Sequence, residues 1–380
     1  MPQRRHAGEG HLHHVAARVQ LGAREDNLSE FWTIRAGKNG ERVDWAIANG
    51  VAGGGWSEFP DLTEFRDNKD SLQALVREVL GGSPSRVGNY TGQLWSFIHR
   101  IKKGDFMVLP IRSTSQIAIG EVTNEYHYVA DEPDPSKRHR LGVKWLKTDI
   151  SKTLVKQDLL YQMGSAMTVF VIANNDANFR LKQLLAGQSD PGARGAQPGT
   201  KASSATVDEA EAEVEAEPLN LEELAHDEIA RRLQEDFKGH DLSLLVTALL
   251  EAEGFTCRNS PPGSDGGVDV LAGMGPLGMD SPKLVVQVKS QSGAVSDVVL
   301  QQLNGAIHRY HADQALLVTF GGVTGPARTY LESQYFGIRV WTLSDILAAL
   351  YKHYGSIPED IKARLPLKQI WVPAVAEGDG

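Results

Sequence analysis

Hydrophobic and polar positions repeat with two different periods along the chain, which divides it into two halves. In the N-terminal half, short apolar runs of strand type recur between glycine or charged turns. Two stretches with apolar residues at helical spacing interrupt these runs, at 70–80 and 91–101. We therefore predict a mostly β domain here, a small curved sheet or barrel with flanking helices. The strand-like runs are EFWTIRAG, GDFMVLPI, QIAIGEVTNEYHYV, HRLGVKWL and AMTVFVI.

In the C-terminal half, strand-like runs alternate with amphipathic helical stretches. Two helices come first, at 226–237 and 241–255, the second ended by Gly254. The runs VDVLAG and KLVVQVKS then follow one another across a turn-rich connection, helical stretches precede and follow QALLVTF, and IRVWTL is followed by a further helix. Strands that alternate with helices predict an α/β domain, with a mixed sheet flanked by helices on both faces.

A segment rich in Gly, Pro, Ala, Ser and Glu, without aromatic residues, lies between the two halves. Such a composition cannot bury enough apolar surface to offset the entropy lost on ordering, so it predicts a flexible linker. The predicted organisation is a disordered leader (1–27), the mostly β domain (28–186), the acidic linker (187–219), the α/β domain (220–372) and a short tail (373–380).

Composition restricts the class and the compartment of the protein. Hydrophobic residues make up 41% and charged residues 23% of the chain, as in soluble globular proteins. No apolar run approaches the roughly 18 residues that a membrane span needs, so no membrane partner is expected. The start of the chain lacks the apolar core of a signal peptide. Cys257 is the only cysteine, which excludes an internal disulfide and favours a reducing cytoplasm.

The net charge of −9 does not exclude a nucleic-acid partner, because the acids are concentrated in one place. The stretch 203–223 holds eight acidic residues and no Lys or Arg, so the rest of the chain is close to neutral. Within that remainder lie two basic islands, HRIKK (99–103) and KRHR (137–140). They are compatible both with contacts to phosphates and with ordinary solvated surface charge.

Candidate chemistry lies at the ends of two neighbouring strand-like runs. Gln287 and Lys289 share one face of LVVQVKS because strand side chains alternate, and Asp269 can reach the same edge if VDVLAG pairs beside it. A carboxylate and an amide oxygen suit a hard cation such as Mg²⁺, and a lysine beside them suits hydrolysis of a phosphodiester. The alternative interpretation is a turn aspartate beside an exposed strand end.

The segments SDGGVDVLA, LVVQVKS, VLQQLNGAI and ALLVTFGGVTGPA together resemble the Mrr family of restriction endonucleases, in the PD-(D/E)xK superfamily, over 237–350. The resemblance implies that Asp269 is a metal ligand, that Gln287 occupies the second metal position, and that Lys289 is the catalytic lysine. It implies Mg²⁺ as the cofactor, with Mn²⁺ as the alternative ion. Gln302 is a further active-site candidate or a plain surface glutamine, and Asp265 is interpreted as a turn former.

The first core helix departs from the family pattern. Such nucleases often carry a glutamate there, ahead of a Leu-Val pair, whereas this chain has Leu242-Ser243 ahead of Leu245-Val246. Asp241 or His240 could replace that glutamate, and the sequence does not decide whether either does.

The segments 95–129 and 139–160 are similar to EVE-like domains of the PUA superfamily. They share a Gly-Asp turn into a strand, a Gly-Glu-Val strand and a Val-Lys-Trp strand. The resemblance implies recognition of a modified base that is extruded from the duplex into an aromatic pocket. Stacking in the pocket offsets the free energy that extrusion costs. For each candidate pocket aromatic, core packing is the alternative role. Trp56 is expected on an exposed glycine-rich loop, and the basic candidates would contact phosphates. The candidates are Trp32, Trp56, Trp95, Tyr126 and Trp145, with Arg100, Lys102 and Lys103.

Together these features predict an enzyme, a modification-dependent DNA restriction endonuclease that cuts foreign, phage-type DNA with a divalent metal. Its expected partner is double-stranded DNA that carries a modified base. A homodimer is expected at least during cleavage, since one site cuts one strand. Two alternatives stay open: an anti-phage effector nuclease whose non-specific cleavage is triggered by a ligand or phage component, and a nucleic-acid binding module with little activity.

Overall fold

The computed structural model describes residues 29–165, 167–194, 221–261 and 267–371. The predicted leader, the tail beyond Trp371 and most of the predicted linker lie outside the described residues, as does Asp265. Within the described ranges, no helix is long and apolar enough to cross a membrane.

The N-terminal domain is built on a curled six-stranded sheet with the strand order β2-β5-β4-β3-β1-β6. The pairs β3–β4 and β4–β5 are antiparallel, and β1 runs parallel to β3. The strands are β1 (Phe31–Ile34), β2 (Val51–Ala52), β3 (Phe106–Ile111), β4 (Gln116–Tyr128), β5 (His139–Ser151) and β6 (Val169–Val171). The helices are α1 (Val43–Asn49), α2 (Lys69–Leu80), α3 (Pro84–Trp95), α4 (Gln157–Met163) and α5 (Ala177–Leu185).

Alternating side chains of this sheet fill two separate cores. Trp32 and Met107 face a core shared with α2 and α3, whereas Phe31 and Val108 face a second core shared with α4 and α5. Successive strand residues point to opposite faces, so one short apolar strand supplies both cores. Because both faces of these strands are buried, their sequences are nearly continuous apolar runs.

The N-terminal domain extends past the predicted start of the linker, to Arg194. Asp190 is buried and accepts hydrogen bonds from both Arg180 Nε (2.7 Å) and the Lys156 backbone N–H (2.9 Å). Arg194 N donates to Asp176 Oδ2 at 2.6 Å. These bonds hold residues 187–194 on the domain although their composition resembles that of a linker.

The C-terminal domain has a five-stranded mixed sheet with the strand order β11-β10-β9-β8-β7. Strands β9, β10 and β11 are parallel, and β7 and β8 are antiparallel to their neighbours. The strands are β7 (Thr256–Asn259), β8 (Val270–Met274), β9 (Asp280–Lys289), β10 (Gln314–Thr319) and β11 (Ile338–Trp341). The helices are α6 (Leu221–Asp236), α7 (His240–Ala252), α8 (Asp297–Tyr310), α9 (Gly325–Ser333), α10 (Leu343–His353) and α11 (Glu359–Arg364).

Helices cover this sheet on both faces, as predicted. Val286 and Val270 lie in a core with α6, α7 and α10, and Val285 and Leu317 lie in a second core with α8 and α9. The predicted fold class, a mixed sheet flanked by helices joined to a mostly β domain, is therefore confirmed.

Candidate active site

The end of strand β9 carries two of the predicted site residues on one face. Val286 and Val288 pack toward the core of α6, α7 and α10, whereas Val285 packs toward α8 and α9. Strand alternation therefore directs Gln287 and Lys289 toward the α8 side. The two side chains share this direction because they are two residues apart in one strand, whichever elements the strand packs against.

Asp269 lies directly beside Gln287, immediately before strand β8. Its backbone N–H donates to Val286 O at 2.8 Å, and its Oδ2 accepts from Val288 N at 2.7 Å. These two bonds reach the backbone groups on either side of Gln287. The structure thus brings Asp269 and Gln287 together, as the predicted pairing of the two strands requires.

Gln287 is buried with one polar atom unpaired. Its side chain is 5% exposed, and its Oε1 has no hydrogen-bond partner among the described residues. A buried acceptor without a partner costs about 1–3 kcal/mol, so native proteins rarely keep one without a functional reason. A carbonyl oxygen and a neighbouring carboxylate are ligands that a hard divalent cation takes, so these two residues fit such an ion.

Lys289 is the last residue of β9 and is half-buried. Its carbonyl accepts from Phe320 N at 3.3 Å, which ties the strand end to the loop after β10. Within the described part of the chain, its ammonium forms no ion pair, either with Asp269 or with another acid. A charged amine held at a strand end without a counter-ion remains available to an anionic ligand such as a phosphate.

No third acid joins these residues within the described ranges. Asp241 pairs with Arg364 at 3.1 Å, and Ser243 is buried in helix α7, which packs on the face opposite to Gln287. Gln302 is exposed on α8, and no hydrogen bond links it to Asp269 or Lys289. Among the residues described, there is no group of three or more His, Cys, Asp or Glu able to hold a metal. The oxygen donors that lie together here are therefore one carboxylate, of Asp269, and one amide oxygen, of Gln287.

Three of the aromatic candidates of the N-terminal domain are core residues. Trp32 and Trp56 are 1% and 2% exposed, and Tyr126 is 5% exposed. The prediction of an exposed loop for Trp56 is wrong, because its ring packs edge-on against Phe97 with centroids 4.9 Å apart. The Tyr126 hydroxyl bonds His139 Nδ1 at 2.9 Å, and burial raises the pKa of Tyr126 well above its usual range.

Two aromatic candidates and one unpredicted tryptophan keep part of their rings at the surface. Trp95 stacks on His99 with centroids 4.2 Å apart, and Trp145 Nε1 donates to Ala46 O at 3.0 Å. Trp45, which the sequence did not single out, is half-buried beneath the basic island 137–140, with Arg140 Cζ 5.1 Å from its ring centre. Trp45 lies far from that island along the chain, so the sequence alone does not show that the two are in contact.

A one-turn π-helix, Ser96–Arg100, presents the other basic island. Arg100 lies over the Trp32 ring, with Cζ 5.1 Å from its centre, and Lys102 Nζ is 3.8 Å from Glu125 Oε2. Lys103 is exposed. Single π turns within helices occur often at functional sites, so this segment is a candidate contact surface for phosphates.

A mixed sheet with an acid before one strand and a Gln-x-Lys sequence at the end of the next is the arrangement of PD-(D/E)xK-type nuclease domains. Residues 234–350 match the Mrr catalytic family model, described as "Restriction endonuclease". The resemblance predicted for the C-terminal domain is thereby confirmed. Residues 32–172 match a second family model, a domain of unknown function (DUF8426).

Solved structures similar to the chain include two restriction endonucleases and one YTH domain. MspJI restriction endonuclease in complex with a 27-mer oligonucleotide is 14% identical (TM-score 0.30), over 88% of this chain and 79% of its own. The DNA modification-dependent restriction endonuclease AspBHI is 14% identical (TM-score 0.29), over 84% and 80%. The YTH domain of Zygosaccharomyces rouxii MRB1, in complex with N6-methyladenosine RNA, is 12% identical (TM-score 0.27), over 45% and 96%. No curated protein sequence matches the chain.

Proposed function

We propose that the protein is a modification-dependent DNA restriction endonuclease that hydrolyses phosphodiester bonds of foreign DNA. The observation that carries this proposal is the unpaired Oε1 of Gln287, a residue that lies beside Asp269 near the end of strand β9. Lys289 is the last residue of that strand. The match of residues 234–350 to the restriction endonuclease model supports the reaction class. The N-terminal domain would supply recognition of the modified base.

Asp269, Gln287 and Lys289 would have separate roles in hydrolysis. Asp269 Oδ1 and Gln287 Oε1 would hold a divalent cation, Mg²⁺ or Mn²⁺, which when bound supplies electrophilic activation of the scissile phosphate. Lys289 would donate hydrogen bonds to the phosphate oxygens and orient the attacking water. Water adds across the P–O bond, which yields a phosphate end and a hydroxyl end. With only two oxygen ligands from the protein, the cation would retain several waters.

Recognition would use surface aromatics and the basic island. Trp95 and Trp145 keep exposed ring area for stacking, whereas Trp32, Trp56 and Tyr126 would support the domain from its core. Arg100 and Lys103 would contact phosphates and so position the domain without specifying sequence. One nuclease site cuts one strand, so cleavage of both strands would require two copies of the chain on the DNA.

The test is digestion of four matched DNAs with purified protein and Mg²⁺. The DNAs carry 5-methylcytosine, 5-hydroxymethylcytosine, N6-methyladenine or no modification. We expect cutting of at least one modified DNA and none of the unmodified DNA, and loss of cutting in Lys289→Ala. Lys283→Ala, at the other end of the same strand, is the matched control and should cut normally.

Other outcomes would replace the proposal. Cutting that persists in Lys289→Ala would remove the assigned mechanism. Cutting of unmodified plasmid only after a phage lysate or a nucleotide is added would indicate a triggered effector nuclease. DNA binding without metal-dependent turnover would indicate a binding module, the alternative favoured by the lack of a third acid among the described residues.

A further inference from the structure

The two domains contact one another directly, although a long acidic segment joins them. Helix α6 lies between them: Ala230 and Leu233 face the nuclease core, while its acids pair with bases of the N-terminal domain. Lys152–Asp227 is the most buried of these pairs, with side chains 6% and 14% exposed. Among the described residues, interdomain ion pairs include Lys152–Asp227 (2.6 Å), Arg35–Glu223 (2.5 Å), Arg112–Glu222 (3.3 Å) and Arg328–Asp44 (2.9 Å).

A second contact reaches the loop that follows the candidate catalytic lysine. Gln116 begins strand β4, is 5% exposed, and donates from Nε2 to Ser292 O at 2.7 Å. Its Oε1 accepts from Thr114 Oγ1 at 2.6 Å, which fixes the direction of the amide. Ser292 lies three residues after Lys289, in the connection between β9 and α8. The N-terminal domain therefore holds the backbone just beyond the nuclease site.

This connection is packed backbone to backbone against the loop after β10. A Cβ added at Gly321 would lie 2.3 Å from Gly293 O and 2.5 Å from Ser292 O, so only glycine allows the approach. Val295 N donates to Gly322 O at 2.9 Å. Gly322 in turn faces the Thr114 methyl group, since a Cβ there would be 3.1 Å from it. The loops that follow β9 and β10 are thus packed against each other. Thr114 and Gln116 of the N-terminal domain contact these loops from the side of that domain.

We propose that Gln116, oriented by Thr114, is a positioning residue of the nuclease site that acts on Lys289 through Ser292. The inference rests on the proposed function and adds to it a route by which the N-terminal domain affects cleavage. The loop has little side-chain packing of its own at Gly293 and Gly321, so the hydrogen bond from Gln116 adds to the backbone contacts that hold it beside the strand end. A lysine displaced from its productive geometry slows the chemical step and leaves DNA binding nearly unchanged.

The experiment compares Gln116→Met with wild-type protein in two measurements. Methionine keeps the volume of the side chain and removes the donor to Ser292. We expect amide hydrogen exchange in the 290–296 loop to rise about tenfold, because the local opening energy falls. With the best-cut DNA, kcat should fall about tenfold while KM stays within about twofold. Thr114→Val, which removes only the hydroxyl that orients the amide, should change both quantities in the same direction by less.

Asp44→Asn is the matched control, since it breaks an interdomain ion pair between half-exposed side chains and should leave kcat and loop exchange unchanged. Unchanged loop exchange in Gln116→Met overturns the proposal, as does a rise in KM at constant kcat, which would make Gln116 a DNA-binding residue. If the wild-type protein cuts no DNA, the proposed function fails, and the exchange measurement still decides whether Gln116 holds the loop. If Gln116→Met does not fold, Thr114→Val supplies both measurements.

Discussion

Replacing Gln287 by methionine is expected to stabilise the protein and to abolish DNA cleavage. Gln287 is 5% exposed, and its Oε1 has no partner among the described residues. An unpaired buried acceptor costs about 1–3 kcal/mol, and methionine fills nearly the same volume without any such group. Loss of the amide N–H groups offsets part of this gain. The free energy of unfolding without divalent cations should therefore rise by about 1 kcal/mol.

The assay is urea unfolding of both proteins in EDTA, then in saturating Mg²⁺. Cation binding stabilises only a protein that has the site, by about 2.7 kcal/mol at a hundred times the Kd. Wild-type protein should gain stability from Mg²⁺, and Gln287→Met should gain much less and should cut no DNA. Gln301→Met, an exposed glutamine of α8, is the matched control, with unfolding energy within about 0.5 kcal/mol of wild type and normal cutting.

Two results would refute the reasoning. If Gln287→Met lowers the free energy of unfolding, the amide as a whole stabilises the cation-free protein by more than the unpaired Oε1 costs, and the reasoning from that atom fails. If Gln287→Met still cuts at the wild-type rate, Gln287 is not a ligand, and Asp269 must hold the cation without it.

Three further predictions concern the domain interface and the aromatic residues. Burial raises the pKa of Asp227, but Lys152 and His226 together outweigh it and lower that pKa from 3.8 to about 2. These contacts of the Asp227 carboxylate therefore add on the order of 2 kcal/mol of stability that is present above pH 4 and lost between pH 4 and pH 2; acid titration of Asp227→Asn should lack that loss. Trp56→Ala should cost about 3–5 kcal/mol in urea unfolding, because it empties a buried site; a cost below 1 kcal/mol would contradict the observed packing. Trp95→Ala should cost less stability than Trp56→Ala, because its ring is only partly buried, and it should weaken binding to modified DNA in a titration; unchanged binding would remove Trp95 from the recognition surface.

The elements that the sequence predicts well are those with long, regular apolar patterns. Each quoted strand-like run corresponds to a strand, and the helical stretches correspond to α2, α3 and α6 to α10. The sequence missed the short helices α1, α4, α5 and α11 and the strands β2 and β7. Most of these contain seven residues or fewer, and such short segments are stabilised by tertiary packing more than by their own pattern.

Within the candidate site, the local part was predictable and the rest was not. The two-residue spacing of Gln287 and Lys289 determined their shared face, since strand side chains alternate. The sequence could not show that the Gln287 oxygen is unpaired, nor that Asp241 pairs with Arg364, because both depend on which residues from distant segments arrive nearby.

By itself, the sequence determined the two fold classes, their order and the residue types available for cation and phosphate chemistry, because periodicity and composition are local properties. Tertiary structure alone decided how deeply each aromatic is buried, as Trp56 is fully buried and Trp95 only partly. It also decided that Gln116 reaches Ser292 across the domain boundary. Burial and long-range hydrogen bonds depend on how separate elements pack, and no pattern within one element records that.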